Sequence, residues 1–293
     1  MKTVVDNMRD LGDQVRLKLE SLLLEHSSLH QWNRNNDGIV FISVYGDCFY
    51  GELGVSGRRR QASLLEEYRL FHALFETLLR HQPEDVLKRF SDSHTTILRT
   101  IEQQQTWCRT TEEANLRASD AIVAQQELLE YLYDPAEGAM IYVPDTNALL
   151  YNPQIEKWEF EEGDKFVVAL APTVVSELDS LKINHRNEEV RKKSESIIRR
   201  LKELRRRGRL SEGVTLVSNK SDIMAISVEP DIGLSLPWLD PSNNDDRFLA
   251  SVIELMRSRP RSIVIAVSRD LNLQNKAEFA RVPFVEPPEP VSE

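Results

Sequence analysis

Short, β-branched apolar runs separated by helical patterns dominate residues 140–285 and most constrain the architecture open to this chain. Met140-Ile141-Tyr142-Val143-Pro144, Phe166-Val167-Val168-Ala169-Leu170 and Ser262-Ile263-Val264-Ile265-Ala266-Val267-Ser268-Arg269 are near-continuous rather than alternating. Runs of this kind read as strands buried on both faces, as in a parallel sheet covered by helices. We expect strands at 140–145, 166–171, 214–218, 262–268 and 282–285, and helices at 147–152, 173–182, 187–207, 244–257 and 270–280. That order is α/β with a mainly parallel sheet.

Four acidic residues, Asp145, Glu177, Asp246 and Asp270, stand at the ends of these elements. Open α/β sheets bind ligands at the carboxyl ends of their strands, so the four carboxylates are expected to converge on one edge. Crowded carboxylates repel, and the usual compensation is a hard divalent cation held by oxygen ligands. Such a site points to metal-dependent phosphodiester hydrolysis. Taken singly, each acid has a plainer reading. Asp145 and Asp270 suit helix N-caps, Glu177 a solvated first turn, and Asp245-Asp246 another cap. Four acids at four element ends in one α/β order outweigh those separate readings.

At 293 residues the chain holds one large or two ordinary domains. No apolar run approaches the ~18 residues of a membrane span. The opening Met-Lys-Thr-Val-Val-Asp lacks the apolar core of a signal peptide, so a cytoplasmic location without membrane contact is expected. Cys48 and Cys108 show no metal or redox spacing and read as ordinary thiols. The net charge of -10 argues against sequence-independent nucleic-acid binding over the whole surface. The average hides a strongly basic segment, Arg186 to Arg209.

The breaker cluster Asp134-Pro135-Ala136-Glu137-Gly138 places a boundary near residue 138. We therefore expect a mostly α-helical domain over 1–138, an α/β domain over 139–287 and a flexible tail over 288–293. In the first half, Val15-Leu17-Leu19-Leu22-Leu23 and the series from Leu64 to Leu79 recur at helical spacing. Ile97 to Tyr133 reads as one long helix or two with a bend. Gly38 to Gly46 followed by Cys48 to Leu53 is either a β-hairpin or an apolar loop clasp. Arg58-Arg59-Arg60 reads as a solvated loop, and the scattered histidines form no HExxH pair. This half offers no catalytic constellation. Oligomerisation, protein docking or shaping access to the C-terminal site are the roles open to it.

Residues 140–285 resemble a PIN domain, the nuclease fold related to flap endonucleases. The resemblance rests on Val143-Pro144-Asp145-Thr146-Asn147-Ala148-Leu149-Leu150, Pro172-Thr173-Val174-Val175-Ser176-Glu177-Leu178-Asp179, Asn244-Asp245-Asp246-Arg247-Phe248-Leu249-Ala250 and Val267-Ser268-Arg269-Asp270-Leu271-Asn272-Leu273-Gln274-Asn275-Lys276-Ala277. It is especially similar to the PIN domains attached to PhoH-type ATPases, although no P-loop follows. The resemblance implies a Mg²⁺ or Mn²⁺ site held by Asp145, Glu177, Asp246 and Asp270, with Asn147, Thr146 and Asp245 as polar neighbours. Asp246 fits the family register through Leu249 and Ala250; Asp245 sits one position early and reads as an N-cap or a support. All four acids are present, so an active metal-dependent endoribonuclease is implied.

Within the basic segment, Arg191, Lys192, Arg199, Arg205, Arg206, Arg207 and Arg209 would track the phosphates of a single strand. Equally, the segment reads as a solvated amphipathic helix laced with glutamate pairs. Trp238 suits a packed loop anchor better than a base-stacking platform. Single-stranded RNA is the expected substrate, with DNA still open. The alternative from another class is a catalytically silent PIN scaffold that binds RNA or protein, with the helical half as its oligomerisation or docking module.

Overall fold

The computed structural model of the chain describes residues 3–31, 46–133, 138–161, 165–259 and 261–290. It divides into two compact units, Met8–Leu132 and Met1–Asn7 with Tyr133–Glu293. No described helix is long and apolar enough to cross a membrane.

The first unit is helical. It contains α1 (Val4–Ser21, shared with the second unit at its start), α2 (Val55–Leu79), α3 (Glu84–Ile101) and α4 (Thr111–Leu132). A π-helical turn, Leu22–His26, continues α1, and two short strands, β1 (Leu29–Gln31) and β2 (Cys48–Tyr50), pair antiparallel. The apolar face of α1 is real at Val15, Leu19, Leu22 and Leu23, but Leu17 points outward. The long stretch after Ile97 is two helices. α3 ends at Ile101, Gln103 takes a left-handed backbone (φ 55°), and α4 starts at Thr111. Arg58-Arg59-Arg60 is solvated as expected, yet it forms the first turns of α2 rather than a loop. Residues 32–45, which carry most of the Gly38–Gly46 segment, lie outside the described residues.

Aromatic rings fill the core between α2 and α3. Phe75 meets Phe71 edge-on and stacks near Phe90, both at 5.2 Å between centroids. His72 and His94 lie ring on ring at 3.7 Å, and the Tyr68 hydroxyl is 2.9 Å from His94 Nδ1. These histidines, scattered in sequence, are packed aromatic members of the core. Both free cysteines are buried.

The second unit is α/β. Six strands run in the order β5-β6-β4-β3-β7-β8: β3 (Met140–Pro144), β4 (Phe166–Leu170), β5 (Val214–Val217), β6 (Ser221–Ala225), β7 (Ile263–Val267) and β8 (Phe284–Val285). All pairings are parallel except β5 with β6 at one edge. β6 is the element missing from the sequence expectation, because Ser221 and Asp222 at its start break the apolar run. The flanking helices are α5 (Thr146–Tyr151), α6 (Pro172–Asn184), α7 (Glu188–Arg205), α8 (Asn244–Ser258) and α9 (Leu271–Phe279). Gly138 leads into β3 where only glycine fits, since a Cβ there would lie 1.2 Å from the Arg261 carbonyl oxygen. The chain leaves β3 first toward β4 and later returns on its other side as β7, so the switch point lies at the carboxyl end of β3. Of the expected tail, Pro288 and Glu289 are bonded to α5 through Asn152 and Tyr151; residues 291–293 lie outside the described residues.

His72 titrates at about 4, below the usual 6.5, because burial disfavours the imidazolium and His94 adds like charge. The unfolded chain therefore binds the proton more readily than the folded one. The contribution of neutral His72 to stability is complete above pH 6.5 and is lost as pH falls toward about 4. Hydrogen exchange of α2–α4 amides should accelerate between pH 7 and pH 5 beyond its intrinsic pH trend, and His72→Phe should flatten that excess.

Candidate active site

Asp145 is placed by three elements at once. Its backbone N–H donates to the Val267 carbonyl at the end of β7 (3.0 Å). Its Oδ1 caps α5 by accepting from the Ala148 N–H (2.6 Å), and its Oδ2 accepts from the Ser268 hydroxyl (2.5 Å). Ser268 Oγ in turn accepts from the Asp270 N–H (2.9 Å), and Asp270 caps α9 through the amides of Asn272 and Leu273. The cap reading of Asp145 and Asp270 is thus correct as local structure. It does not compete with a functional one, since capping leaves carboxylate lone pairs free.

Glu177 lies one and a half turns into α6. Its two oxygens accept from the Thr146 hydroxyl and from the Asn244 side-chain amide. Asn243, not Asp245, is the N-cap of α8, accepting from the amides of Asp245 and Asp246. The helix twist then parts the two aspartates. Asp246 is buried, with Oδ2 accepting from the Asp240 N–H (2.9 Å) and Oδ1 at 2.8 Å from Lys276 Nζ. Asp245 is more open, 3.7 Å from the same ammonium.

A cleft of about 350 Å³ opens at the carboxyl edge of the sheet, lined by Asp145, Thr146, Asn147, Thr173, Glu177 and Asp245 among others. Asp246 and Asp270 stand outside its lining. Asp270 is close enough for its charge to act on both Asp145 and Asp245. Burial pushes Asp145 up to about 6, and the charges of Asp270 and Asp245 push the same way, against the hydrogen bonds from Ser268 and Ala148. Asp245 is raised too, by burial and by its acidic neighbours, with Lys276 opposing. Among the described residues no group of three or more acidic, His or Cys side chains is gathered tightly enough to hold a metal ion as it stands. The donor set is nevertheless all oxygen, and its central carboxylate is destabilised by burial and like charge. A hard cation would relieve that destabilisation, so the residues fit one.

Lys276 is the site residue that sequence reasoning passed over, although it stood inside a quoted motif. Its position six residues after Asp270 carries it one and a half turns along α9, to the first turn of α8. Ser268 was equally hidden, since a serine closing an apolar run looks like a turn residue.

The basic segment resolves into two sets. Lys192 pairs with Glu188 (2.8 Å), Arg209 with Glu212 (3.0 Å), and Arg191 donates to the His185 carbonyl (2.9 Å). Arg199, Arg205, Arg206 and Arg207 are exposed and have no acidic partner among the described residues. Trp238 packs edge-on against Phe279 at 5.2 Å, as a loop anchor.

The second unit is thus a mainly parallel α/β fold with carboxylates about its switch point. Residues 142–286, about half of the chain, match the family model of the PIN domain, and the C-terminal unit is a PIN domain. PIN domains are in general nucleases and typically use divalent metals. No curated protein matches the chain.

Because Asp145 titrates above its ordinary value near 3.8, its ionisation costs folding free energy. The penalty is absent below about pH 4 and grows as pH rises through about 6. Asparagine caps a helix as well as aspartate does. Asp145→Asn should therefore stabilise the metal-free protein by roughly 1–3 kcal/mol at pH 7.5. Thermal melts in EDTA at pH 7.5 and pH 4 check this: the gain should be present at the first and shrink at the second.

Proposed function

We propose that this protein is a divalent-metal-dependent endoribonuclease that cuts single-stranded RNA in the acidic cleft of its PIN domain. The observation that carries the reading is Asp145, a buried carboxylate with its titration raised to about 6, in one open cleft with Glu177 and Asp245. Asp145, Glu177, Asp270 and the Asp245–Asp246 pair would hold Mg²⁺ or Mn²⁺. When bound, such an ion supplies an activated water and charge neutralisation at the phosphate.

The chain's own residues do the positioning. Ser268 and the Ala148 amide fix the Asp145 carboxylate, Thr146 and Asn244 fix Glu177, and Asn147 adds a polar group to the cleft wall. Lys276 neutralises buried Asp246, leaving Asp245 as the member of the pair that reaches the cleft. Asp246 then anchors the first turn of α8, and Asp245 carries more of the ligand role than the family register assigns to it. A cytoplasmic location and RNA rather than DNA belong to the same proposal.

Cleavage of a labelled single-stranded RNA with Mn²⁺, Mg²⁺ or EDTA tests it. Metal-dependent cutting should fall by two or more orders of magnitude in Asp145→Asn, a change of at least roughly 2.7 kcal/mol in barrier. Asp245→Asn should lose more rate than stability, and Asp246→Asn more stability than Asp245→Asn does. Tight RNA binding with no cutting under either metal would replace this reading with a silent scaffold.

A further inference from the structure

On the far side of α6 from the acidic cleft lies a second, larger one of about 790 Å³. Thr173, Glu177 and Ser180 of α6 face the first, and Pro172, Val175 and Asp179 face the second, as the twist of one helix requires. The floor of the second cleft is apolar, with Leu170, Val175, Leu201 and Ile226. It is held by main-chain bonds from the Ile226 N–H to the Leu170 carbonyl (2.9 Å) and from the Ala225 N–H to the Leu210 carbonyl (2.9 Å). Its wall carries Arg205, Arg206 and Arg207, exposed arginines with no acidic partner among the described residues. One basic group at a helix C-terminus is explained by the helix dipole; three successive arginines round an apolar floor exceed that need.

The ridge between the clefts is itself suited to a phosphate. Ala171, which precedes α6, offers no side-chain cap, and Pro172 at the first position carries no N–H, so the amides of Thr173 and Val174 stand at the helix start without a side-chain cap. Thr173 itself is buried, and its hydroxyl has no hydrogen-bond partner among the described residues. An apolar floor with a cationic wall matches a nucleotide, base against the floor and phosphate against the arginines.

We propose that a single RNA strand runs from the acidic cleft over the N-terminus of α6 and seats a nucleotide in the arginine-walled cleft. This rests on the nuclease reading only for the strand's other end. The crossing is about the 10 Å width of a helix. A single strand spans it in a few nucleotides beyond the acidic cleft.

The test is fluorescence anisotropy in EDTA, where no cutting occurs, with a long labelled single-stranded RNA of about 12 nucleotides, several times what is needed to cross α6. The combined variant Arg205→Ala, Arg206→Ala, Arg207→Ala is compared with a charge-matched control, Arg191→Ala, Lys192→Ala, Arg199→Ala. The long RNA should bind the first variant roughly tenfold or more weakly at low salt, with a log–log salt slope shallower by about 2. Thr173→Val should melt no lower than the unaltered protein and yet bind the long RNA several-fold more weakly. Equal binding of the long RNA to the cleft variant and its control would overturn the proposal. Loss of binding in the cleft variant, in a protein that cuts nothing under Mn²⁺, would support this site while removing the nuclease reading.

Discussion

The Asp145 carboxylate holds the carboxyl edge of the PIN domain's sheet together. Its two oxygens and its amide join the end of β3 to α5, to Ser268 and to β7. Through Ser268 the same linkage reaches the cap of α9. An N-cap of this kind contributes about 1 kcal/mol, and hydrogen bonds to a charged group about 1.5–3 kcal/mol each. These gains are set against the desolvation of a carboxylate that is only 7% exposed. The raised titration of Asp145 records that desolvation as the larger effect. The edge is thus built round a group that the fold itself keeps under electrostatic tension.

The remaining acids fall into place around it. Two carboxylates about 4 Å apart repel by roughly 4 kcal/mol at the effective dielectric of a protein surface. Turning Asp246 inward to Lys276 and the Asp240 amide takes one charge out of that crowd. Glu177 is steadied by neutral donors instead, from Thr146 and Asn244. The result is one buried, charge-balanced pair and a cleft in which Asp245 shares the Lys276 ammonium while Asp145 and Glu177 are held by hydrogen bonds.

Much of this was legible in the sequence, for physical reasons that differ by element. β3, β4 and β7 are buried on both faces, so their apolar runs are unbroken and their carboxyl ends are plain. The acids that follow β3 and β7, Asp145 and Asp270, therefore stand out as element-end residues. β6 does not stand out, because a strand that starts Ser221-Asp222 next to an edge carries a weaker pattern. The division of labour between Asp245 and Asp246 was also beyond the sequence. It depends on which of two adjacent side chains the α8 twist turns toward Lys276, a residue thirty positions away in the chain. In the helical unit, spacing revealed α1 and α2 but not that Leu17 faces outward or that His72 and His94 share one core. Contacts between helices are not written in the periodicity of either.

The placement of opposite charges on either side of α6 bears on the choice between nuclease and silent scaffold. A protein that only binds an RNA strand gains nothing from Asp145, Glu177 and Asp245 beside an arginine-walled cleft, because those carboxylates repel the phosphates that the arginines attract. On the proposed reading, the two clefts would form one coherent phosphate-binding surface once cations bind among the acids. The cost of crowding the carboxylates is then offset on binding rather than carried as a permanent defect. A scaffold would be improved by replacing the acids with neutral caps of equal quality, such as asparagine, at Asp145 and Asp270. Charge at both caps, at Glu177 and at Asp245 is what the proposed chemistry at the phosphate requires.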